Sequence, residues 1–407
     1  MRTNKIAIVG LGKLGLPLLT TFAKNEQKII GFDIDEKKIT QLKKGEVPFF
    51  EPNLQELYNE NINNIEVENN TDKLISQTDV AIILVNTPSK PDGTFSNEYI
   101  FQSVESISKS LKNSDTEEFL FIISSTVMPG THLEIIKLIE FHSGRKLNSG
   151  FGLLYIPDLV ALGNVIYDFE NPDVLIMGQS SEKFGTLGEE IYRKIIKNNA
   201  PIVRMSLVEA EISKVSLNAY ITMKISFANF IGNIAEKLNC NPKNITKALG
   251  YDKRISPYYL SSGLSFGGTC FPRDTWAFIT MSEKLGLDAE HIVATQRINE
   301  KQNEILINKV GIYKDKIIGV FGLSFKPKTS VTTESASFIL YEFLKNNNYN
   351  VLGCDDLVET DYTLNTFDEF LNRSEVVVLA HINNKLFERY KDVLQKKILI
   401  DPWHILS

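Results

Sequence analysis

Short apolar runs alternate with amphipathic stretches over the first half of the chain. Runs that are rich in β-branched residues and bounded by glycine, proline or polar residues predict buried strands. They lie at 5–10, 28–33, 79–86, 118–125, 171–178 and 200–205. Such strands, separated by helical segments, indicate βαβ units around a parallel sheet. This half is therefore predicted to form a doubly wound α/β domain.

The hydrophobic period changes in the middle of the chain. Between residues 207 and 238, apolar positions recur every three or four residues, and Gly232 is the only glycine or proline. This spacing predicts one long helix that is apolar on much of its surface, so it should be buried between domains or subunits. Shorter helices are predicted at 243–249, 274–285 and 288–311.

Strand-like runs return in the last quarter of the chain, at 316–325, 350–355, 375–381 and 397–402. They predict a second, smaller α/β domain. The predicted fold class is therefore α/β, with a doubly wound sheet and a smaller α/β domain on either side of a helical middle. The predicted domains are 1–205, 206–311 and 312–407.

Composition narrows the classes of function. The chain has 407 residues and a formal net charge of −6, whereas a general nucleic-acid binder should be basic. Its apolar runs fall short of the roughly 18 residues that span a bilayer, and its start lacks the layout of a signal peptide. Three scattered cysteines are too few for a disulfide framework or a metal cage. We therefore expect a soluble, cytoplasmic protein that binds no metal, nucleic acid or membrane.

The turn after the first predicted strand carries a chemical signal. Gly10, Gly12 and Gly15 form a G-x-G-x-x-G pattern that opens a helix-compatible stretch. In Rossmann domains these glycines provide a tight turn, backbone access to a pyrophosphate and close helix packing. Asp33 ends the second strand, where a carboxylate binds the ribose 2′-hydroxyl and repels a 2′-phosphate. The pattern predicts NAD binding; the alternative is a glycine turn with a surface aspartate.

A second signal surrounds Cys270. Gly267 and Gly268 give close backbone access just before it, and a helix is predicted to begin near Asp274. A helix N-terminus and neighbouring cations favour the nucleophilic thiolate form of cysteine. The alternative is a buried structural cysteine, the usual state of a free cysteine. Cys240 and Cys354 lack such surroundings and are interpreted as structural.

A third signal lies on the long helix, where Glu211, Lys214 and Asn218 share one face. Isolated polar residues on an apolar helix cost free energy unless they are paired. Two interpretations are open. Glu211 and Lys214 form an ion pair at the surface, or the three residues belong to a catalytic site. In the second case the lysine would stabilise an oxyanion.

Taken together, these motifs resemble the UDP-glucose/GDP-mannose dehydrogenase family of nucleotide-sugar 6-dehydrogenases. The resemblance covers about residues 1–403. Besides the glycine pattern, it is carried by the segments 31–35, 85–88, 125–127, 210–218, 224–227, 252–255, 266–274 and 322–326. The cysteine loop is the motif most specific to this family, because it follows Lys214 and Asn218 in the same order as in the family.

The resemblance implies a four-electron oxidation of a sugar C6 alcohol. One NAD takes a hydride to leave an aldehyde, which the Cys270 thiolate attacks to form a thiohemiacetal. A second NAD takes another hydride, and the resulting thioester is hydrolysed to the uronic acid. The covalent adduct holds the aldehyde between the two oxidations.

The resemblance also assigns residues to roles. The catalytic residues that it implies are Cys270, Lys214, Asn218, Asp274, Asp158 and Thr126. Cofactor binding falls to Gly10, Gly12, Lys13, Leu14, Gly15, Asp33, Lys38, Thr87 and Thr126. Substrate binding falls to Asp158, Leu159, Lys214, Asn218, Arg254, Phe266, Gly267 and Lys326.

Within these sets, the resemblance implies that Lys214 stabilises the C6 oxyanion with Asn218 beside it. Asp274 and Thr126 would order water near the thioester. Arg254 matches an arginine that reaches the sugar of a neighbouring subunit, so a homodimer through the long helix is expected. The fold implied is an N-terminal Rossmann-type domain, a central long-helix dimerisation region and a C-terminal Rossmann-like domain that binds the nucleotide-sugar.

Several positions depart from the family pattern. Asp158 stands where glutamate is usual, and Leu162 replaces a second glutamate four residues later. The usual acidic pair and following arginine of the third domain are replaced by Ser330-Val331 and Thr333. Arg273 stands where lysine is common, which keeps the charge but not the geometry. These changes suggest a reshaped nicotinamide pocket.

Three interpretations follow for function. The preferred one is an active enzyme for a UDP-sugar, with UDP-N-acetylhexosamines or GDP-mannose as alternative substrates of the same chemistry. A β-hydroxyacid dehydrogenase also has a Rossmann domain followed by long helices, but it needs neither the cysteine loop nor a third domain. A catalytically impaired nucleotide-sugar binder is the third interpretation, and it is motivated by Leu162 and Thr333.

Overall fold

A computed structural model describes residues 5–25 and 28–406. The chain forms two compact units, of which the first ends at Val215 and the second begins at Ser216. The division into three domains stays a prediction.

The first unit contains an eight-stranded sheet in the order β3-β2-β1-β4-β5-β6-β7-β8. Neighbouring strands are parallel except β6 and β7, which run antiparallel. The strands are β1 Ile6–Val9, β2 Ile29–Phe32, β3 Ile65–Glu68, β4 Val80–Ile83, β5 Phe119–Ile123, β6 Phe151–Tyr155, β7 Leu175–Gln179 and β8 Ile202–Ser206. Because the strand order reverses at β1, a crevice is expected beyond its carboxyl end.

Helices flank this sheet and bury its two faces in separate apolar clusters. They are α1 Gly15–Lys24, α2 Glu36–Lys43, α3 Leu54–Glu60, α4 Thr71–Gln77, α5 Glu98–Lys112, α6 Thr131–Ser143, α7 Val165–Glu170 and α8 Glu182–Arg193, with a short 3-10 turn at Ile62–Asn64. Strands that are covered on both faces become continuous apolar runs, which is why they stand out in the sequence.

The predicted doubly wound α/β fold is confirmed, with two corrections. The strands β3 and β6 were not predicted, because β3 alternates polar and apolar residues at the sheet edge and β6 lies in a short run beside a glycine-rich turn. The sheet is not wholly parallel, since an apolar run carries no information on the direction of its strand. The other six strands lie within or next to the predicted runs.

The long helix α9 (Leu207–Lys237) begins in the first unit and continues into the second, close to the predicted bounds. In the second unit it is followed by α10 Pro242–Gly250, α11 Phe271–Lys284 and α12 Glu290–Gly311. The helix α11 begins three residues before the predicted start, and Pro272 occupies its first turn, where proline is favoured.

A four-stranded parallel sheet in the order β10-β9-β11-β12 completes the second unit. Its strands are β9 Ile317–Phe321, β10 Asn350–Cys354, β11 Val376–Leu379 and β12 Ile398–Ile400, and its helices are α13 Ala336–Asn346, α14 Phe367–Arg373, α15 Asn384–Arg389 and α16 Lys391–Leu394. The predicted smaller α/β region is confirmed. Among the described residues, no helix is long and apolar enough to cross a membrane.

The turn after β9 repeats the geometry of the turn after β1. Gly322 has a φ of 86° and donates its N–H to Cys354 O at 2.8 Å. The Asp355 carboxylate, at the end of β10, accepts hydrogen bonds from the N–H groups of Leu323 (2.7 Å) and Ser324 (3.1 Å). A glycine turn followed by an aspartate at the end of the next strand therefore occurs in both units.

One side of α9 exposes large apolar side chains. They are Leu217, Tyr220, Phe227, Phe230 and Ile234. The opposite side packs inside the second unit, where Thr222 bonds Thr275 and Ser226 bonds the carbonyl of Thr295. The helix is thus only partly buried within one chain, and its apolar surface is larger than the described residues cover.

Core packing around β5 is testable with Phe121, which is fully buried and contacts Phe119 and Phe151 edge to face. We expect Phe121→Ala to lower the free energy of unfolding by about 3–5 kcal/mol, because the truncation leaves a cavity that the sheet cannot close. The control Phe141→Ala removes a ring that is 82% exposed and should stay within about 0.5 kcal/mol of wild type. Urea unfolding followed by circular dichroism measures both, and equal midpoints for the two variants would contradict the assignment of Phe121 to the core.

Candidate active site

The glycine turn after β1 has the shape that a dinucleotide requires. Gly10 has a φ of 97°, and a Cβ there would lie 2.4 Å from the Leu84 carbonyl oxygen. A Cβ on Gly15 would lie 1.9 Å from the Gly10 oxygen. At Gly12, by contrast, a Cβ would meet no described atom within 4 Å, so this backbone faces open space. The turn therefore excludes side chains where it packs and leaves room where a pyrophosphate would approach.

Asp33 is fixed at the end of β2. Its Oδ2 accepts hydrogen bonds from Leu11 N (2.9 Å) and Lys38 Nζ (2.6 Å), and its Oδ1 accepts one from Asp35 N (3.0 Å). It is not a loose surface aspartate, so the alternative interpretation of this turn is wrong. Lys13 and Leu14 directly precede α1. These residues fit a dinucleotide with a free ribose 2′-hydroxyl.

The loops after β4 and β5 are joined to each other. Val85 N donates to Ser125 Oγ at 2.9 Å, and Ser125 Oγ donates to Val85 O at 2.8 Å. Thr87 and Thr126 follow these two anchors by one or two residues, and Gly10 packs against Val85 from the neighbouring β1 turn. The first unit thus collects the predicted cofactor residues at the carboxyl end of its central strands.

Asp158 follows β6 and has an enclosed carboxyl group. The residue as a whole is half-buried, but its Oδ2 is shielded from solvent and has no hydrogen-bond partner among the described residues. Loss of hydration raises the pKa of Asp158 to about 7, and the nearby charge of Lys214 partly opposes this rise. Lys214 Nζ itself donates to the Asp158 carbonyl oxygen at 2.7 Å. Asp158 can therefore exchange a proton near neutral pH.

The next residues of this loop serve packing. Leu159 and Leu162 are partly buried against the two apolar clusters of the first unit. Glu51, which is buried, accepts hydrogen bonds from the N–H groups of Gly163 and Val165 at 2.9 Å each. Sequence reasoning missed Glu51 because its partners lie more than a hundred residues along the chain. The loop that carries Asp158 and Leu159 is thus held at its far end.

The polar face of α9 is buried, and Glu211 does not pair with Lys214. The Glu211 side chain accepts hydrogen bonds from Gly130 N, His132 N and His132 Nδ1 instead. Both Glu211 and Lys214 are less than a tenth exposed. The interpretation as a surface pair is therefore wrong, and the partner His132 had no signal in the sequence.

In the second unit, Asn218 holds Asp274. The Asn218 amide donates to Asp274 Oδ2 at 2.6 Å, and Arg273 Nε donates to Asp274 Oδ1 at 2.8 Å. Asp274 is 0% exposed and lies in the first turn of α11. Its carboxylate is therefore charge-compensated and fixed in orientation beside the cysteine loop.

Cys270 is the N-cap residue of α11 and is exposed. The alternative of a buried structural cysteine is therefore wrong for this residue. Cys354 is buried, and burial raises the pKa of its thiol to about 12, in agreement with a structural role. Cys240 is exposed. A thiol at a helix N-terminus with open access has the setting of a nucleophile.

The loop before Cys270 is held from two sides. Phe266 N donates to Asn299 Oδ1 at 2.8 Å, and Asn299 Nδ2 donates back to Phe266 O at 3.0 Å. A Cβ on Gly267 would lie 2.0 Å from the Glu334 carbonyl oxygen. Gly268 donates its N–H to Thr333 O at 2.9 Å. Only glycine fits at positions 267 and 268. Asn299, which the sequence did not reveal, fixes the backbone of Phe266.

The remaining predicted substrate residues lie at the surface of the second unit. Lys326 Nζ lies 5.6 Å from the centre of the Phe325 ring, which packs against Gly268. Arg254 is exposed and its guanidinium binds the Asp252 carboxylate at 2.6 Å. Lys326 is therefore next to the cysteine loop, whereas the role of Arg254 toward a partner stays a prediction.

In a comparison with known protein families, two domains of one family match most of the chain. The NAD binding domain of the UDP-glucose/GDP-mannose dehydrogenase family matches residues 4–196. The central domain of the same family matches residues 208–301.

Related proteins agree with this match. A UDP-glucose 6-dehydrogenase of Bacillus subtilis is 29% identical over 416 residues, covering 97% of this chain and 92% of the relative. A GDP-mannose 6-dehydrogenase of Pseudomonas aeruginosa is 30% identical over 360 residues, covering 87% of this chain and 82% of the relative.

Solved structures show the same architecture. A UDP-glucose dehydrogenase from Pyrobaculum islandicum is similar with a TM-score of 0.89 and 26% identity, covering 100% of this chain and 96% of that one. A UDP-ManNAc dehydrogenase from Pyrococcus horikoshii has the same fold, with a TM-score of 0.85 and 23% identity over 99% of this chain and 96% of that one. The chain therefore belongs to the UDP-glucose/GDP-mannose dehydrogenase family of nucleotide-sugar 6-dehydrogenases, and its cofactor is NAD.

Proposed function

We propose that this protein oxidises the C6 alcohol of a UDP-sugar to the uronic acid, with Cys270 as the covalent nucleophile. The observation that supports it best is the open Cys270 thiol at the start of α11, one helical turn before the fixed Asp274 carboxylate. A β-hydroxyacid dehydrogenase would need no such cysteine. An impaired binder would have no need for the buried, charge-compensated group of Asn218, Arg273 and Asp274.

The cofactor turn and Asp33 hold NAD, which accepts one hydride in each of two successive oxidations. Gly12 gives the pyrophosphate access to the backbone, and the Asp33 carboxylate binds the ribose hydroxyls. Lys38 keeps that carboxylate in place. Thr87 and Thr126 border the same edge, which suits contacts with the other half of the dinucleotide.

In the first oxidation, Lys214 stabilises the negative charge that develops on the C6 oxygen. Its ammonium group is buried and already tethered to the Asp158 backbone, so little side-chain freedom remains to be lost when substrate binds. Asn218, one turn further along α9, fixes Asp274 and presents a polar amide on the same helix face.

In the covalent step, the Cys270 thiolate attacks the aldehyde carbon. A carbon–sulfur bond forms, the carbonyl π bond opens, and the oxygen takes up a proton to give the thiohemiacetal. Transfer of the second hydride to NAD, with loss of the proton that the oxygen had taken up, converts this adduct to the thioester. Water then attacks the thioester carbon, the carbon–sulfur bond breaks, and the thiolate leaves as the uronic acid is released.

Hydrolysis needs a base near neutral pH, and Asp158 suits that role. Its raised pKa of about 7 lies close to physiological pH, where a general base accepts a proton readily and a substantial fraction of it is ionised. Asp274 and Thr126 help by orienting the attacking water. A UDP-sugar is the preferred substrate because a UDP-glucose dehydrogenase superposes on the whole of this chain with a TM-score of 0.89.

The active form is proposed to be a homodimer through α9. The exposed apolar side of this helix, from Leu217 to Ile234, supports it because such surfaces commonly mark interfaces. Arg254 is exposed, and its guanidinium bonds the neighbouring Asp252 carboxylate. A dimer gives Arg254 a role at the sugar bound by the other subunit.

The covalent mechanism predicts the stoichiometry of NADH. Purified protein should form two NADH per sugar with one of UDP-glucose, UDP-galactose, UDP-N-acetylglucosamine, UDP-N-acetylmannosamine and GDP-mannose, and we expect a UDP-sugar. Cys270→Ser should lower uronate formation by at least about a thousandfold while NAD binding is retained. Cys240→Ser, which changes another exposed thiol, should behave as wild type.

Each other result has a distinct meaning. If Cys270→Ser formed uronate as fast as wild type, the covalent mechanism would be excluded. If wild type formed only one NADH per sugar, the enzyme would be releasing the aldehyde. If none of the five nucleotide-sugars were turned over, the proposal that the protein oxidises one of them would be wrong.

The raised pKa of Asp158 predicts the pH dependence of turnover. An acid whose pKa is near 7 loses its base function as pH falls, so the rate of thioester hydrolysis should fall about tenfold per pH unit below pH 6. Asp158→Asn should be slow and should lack this acidic limb, whereas Asp173→Asn, at an exposed position, should keep the wild-type profile. Single-turnover hydrolysis between pH 5 and 8 measures it, and the same limb in Asp158→Asn would assign the titration to another group.

The dimer predicts sensitivity at Phe227, which is 51% exposed on α9. Phe227→Glu should raise the dimer dissociation constant by at least about a hundredfold, because it places a charge in an apolar interface. Phe141→Glu, on α6, is the matched control and should leave assembly unchanged. Analytical ultracentrifugation over a concentration series measures this, and a Phe227→Glu dimer as tight as wild type would contradict an interface on α9.

A further inference from the structure

The loop between β5 and α6 carries Thr126 and is tied down at its first residues. Ser125 exchanges two hydrogen bonds with the backbone of Val85, as described above. Thr126 follows immediately, and the chain then runs through Met128 to Gly130 before α6 begins. Val127, the next residue, is fully buried in an apolar cluster of the first unit, so the part of the loop that still needs an anchor is its end beside α6.

The other end of the loop lacks a local cap. The residue before α6 is Gly130, which has a φ of 96° and no side chain to bond the free N–H groups of the first helical turn. Such groups must find partners when they are buried, and the positive end of the helix favours a negative one. Thr131 Oγ1 turns away from them and donates to Met128 O at 2.6 Å.

Glu211 supplies the missing cap from α9. Its Oε2 accepts from Gly130 N at 2.7 Å and from His132 Nδ1 at 2.9 Å, and its Oε1 accepts from His132 N at 2.9 Å. The residue is 1% exposed. Both carboxylate oxygens are therefore committed to this loop, and no other partner within the described chain competes for them.

The same two turns of α9 hold a second loop. Lys214, three residues after Glu211, donates to the Asp158 carbonyl oxygen at 2.7 Å. One helix therefore fastens the loop after β5 through Glu211 and the loop after β6 through Lys214. Because both contacts come from a rigid helix, they fix the two loops in one register.

We propose that Glu211 is a positioning residue of this enzyme: it caps α6 and thereby holds Thr126 in register with Lys214 and Asp158. The inference rests on the proposed function, since Thr126 and Lys214 matter only if they act on cofactor and substrate. It goes beyond that function because it assigns control over the catalytic geometry to Glu211, a buried acid that is proposed to contact neither cofactor nor substrate. His132 assists by closing the third hydrogen bond.

Substitutions at Glu211 separate charge from geometry. Glu211→Gln keeps the length but points an amide N–H₂ at one of the donors, and Glu211→Asp keeps the charge but falls one methylene short. If the residue positions the loop, we expect both to lower kcat by at least about tenfold, because small misplacements of reacting groups are costly. KM for the nucleotide-sugar should change less than threefold. His132→Ala should show a smaller loss, since the two backbone bonds remain.

Glu209→Gln is the matched control. Glu209 lies two residues before Glu211 on α9, and its carboxylate accepts hydrogen bonds from Ser206 N and Oγ at the start of the helix, not from the β5–α6 loop, within the described part of the chain. It should leave kcat, KM and the exchange rates of the β5–α6 loop as in wild type. A loss in Glu209→Gln equal to that in Glu211→Gln would overturn the inference in favour of a general effect on α9.

Hydrogen–deuterium exchange tests the cap without reference to turnover. Peptides that cover residues 125–133 should exchange at least about tenfold faster in Glu211→Gln, whereas the rest of α6 keeps its protection. Unchanged exchange, or faster exchange with wild-type kcat, would overturn the proposal. If Glu211→Gln does not fold, His132→Ala supplies both readouts. A wild-type protein that turns over no sugar, with faster exchange in the variant, would refute the proposed function and leave the cap standing.

Discussion

The architecture of this enzyme depends on one requirement: backbone N–H groups in buried turns must find acceptors. At several turns the acceptor is a carboxylate, which binds two donors at once and neutralises the positive end of a helix or turn. The acids that do so are Asp33, Glu51, Glu211 and Asp355. Each fixes a loop at the carboxyl end of a strand, and those loops carry the residues proposed to bind cofactor and substrate.

The sequence could predict what is local. Apolar runs gave the positions of most strands, and the glycine pattern with Asp33 identified the cofactor turn, because in both cases the informative residues are close together in the chain. The position of Cys270 at the start of a helix followed from its glycines and from the residues after it. Here the structure adds that α11 begins at Phe271, so the cysteine itself occupies the N-cap position of the helix.

The carboxylate clamps could not be predicted, because their donors and acceptors are remote. Glu51 and Gly163 are 112 residues apart in the chain, and Glu211 and Gly130 are 81 residues apart. The residues next to each glutamate in the chain carry no sign of its partner, and only the folded sheet shows which loop it reaches. The antiparallel pairing of β6 and β7 was missed for a related reason, since strand direction is set by the path of the connecting chain and not by the strand's own residues.

The exposure of Cys270 also ties the enzyme to its redox surroundings. In the proposed mechanism an aldehyde reaches the Cys270 thiol, and a thiol that is exposed in this way is equally open to peroxide, which oxidises thiolates to sulfenic acid and then further. Cys354, buried in the second sheet, is shielded from the same chemistry. The first oxidation state is reversed by thiols and the later ones are not. Under the proposed mechanism, the supply of sugar acid therefore tracks the reducing capacity of the surroundings as well as the supply of NAD.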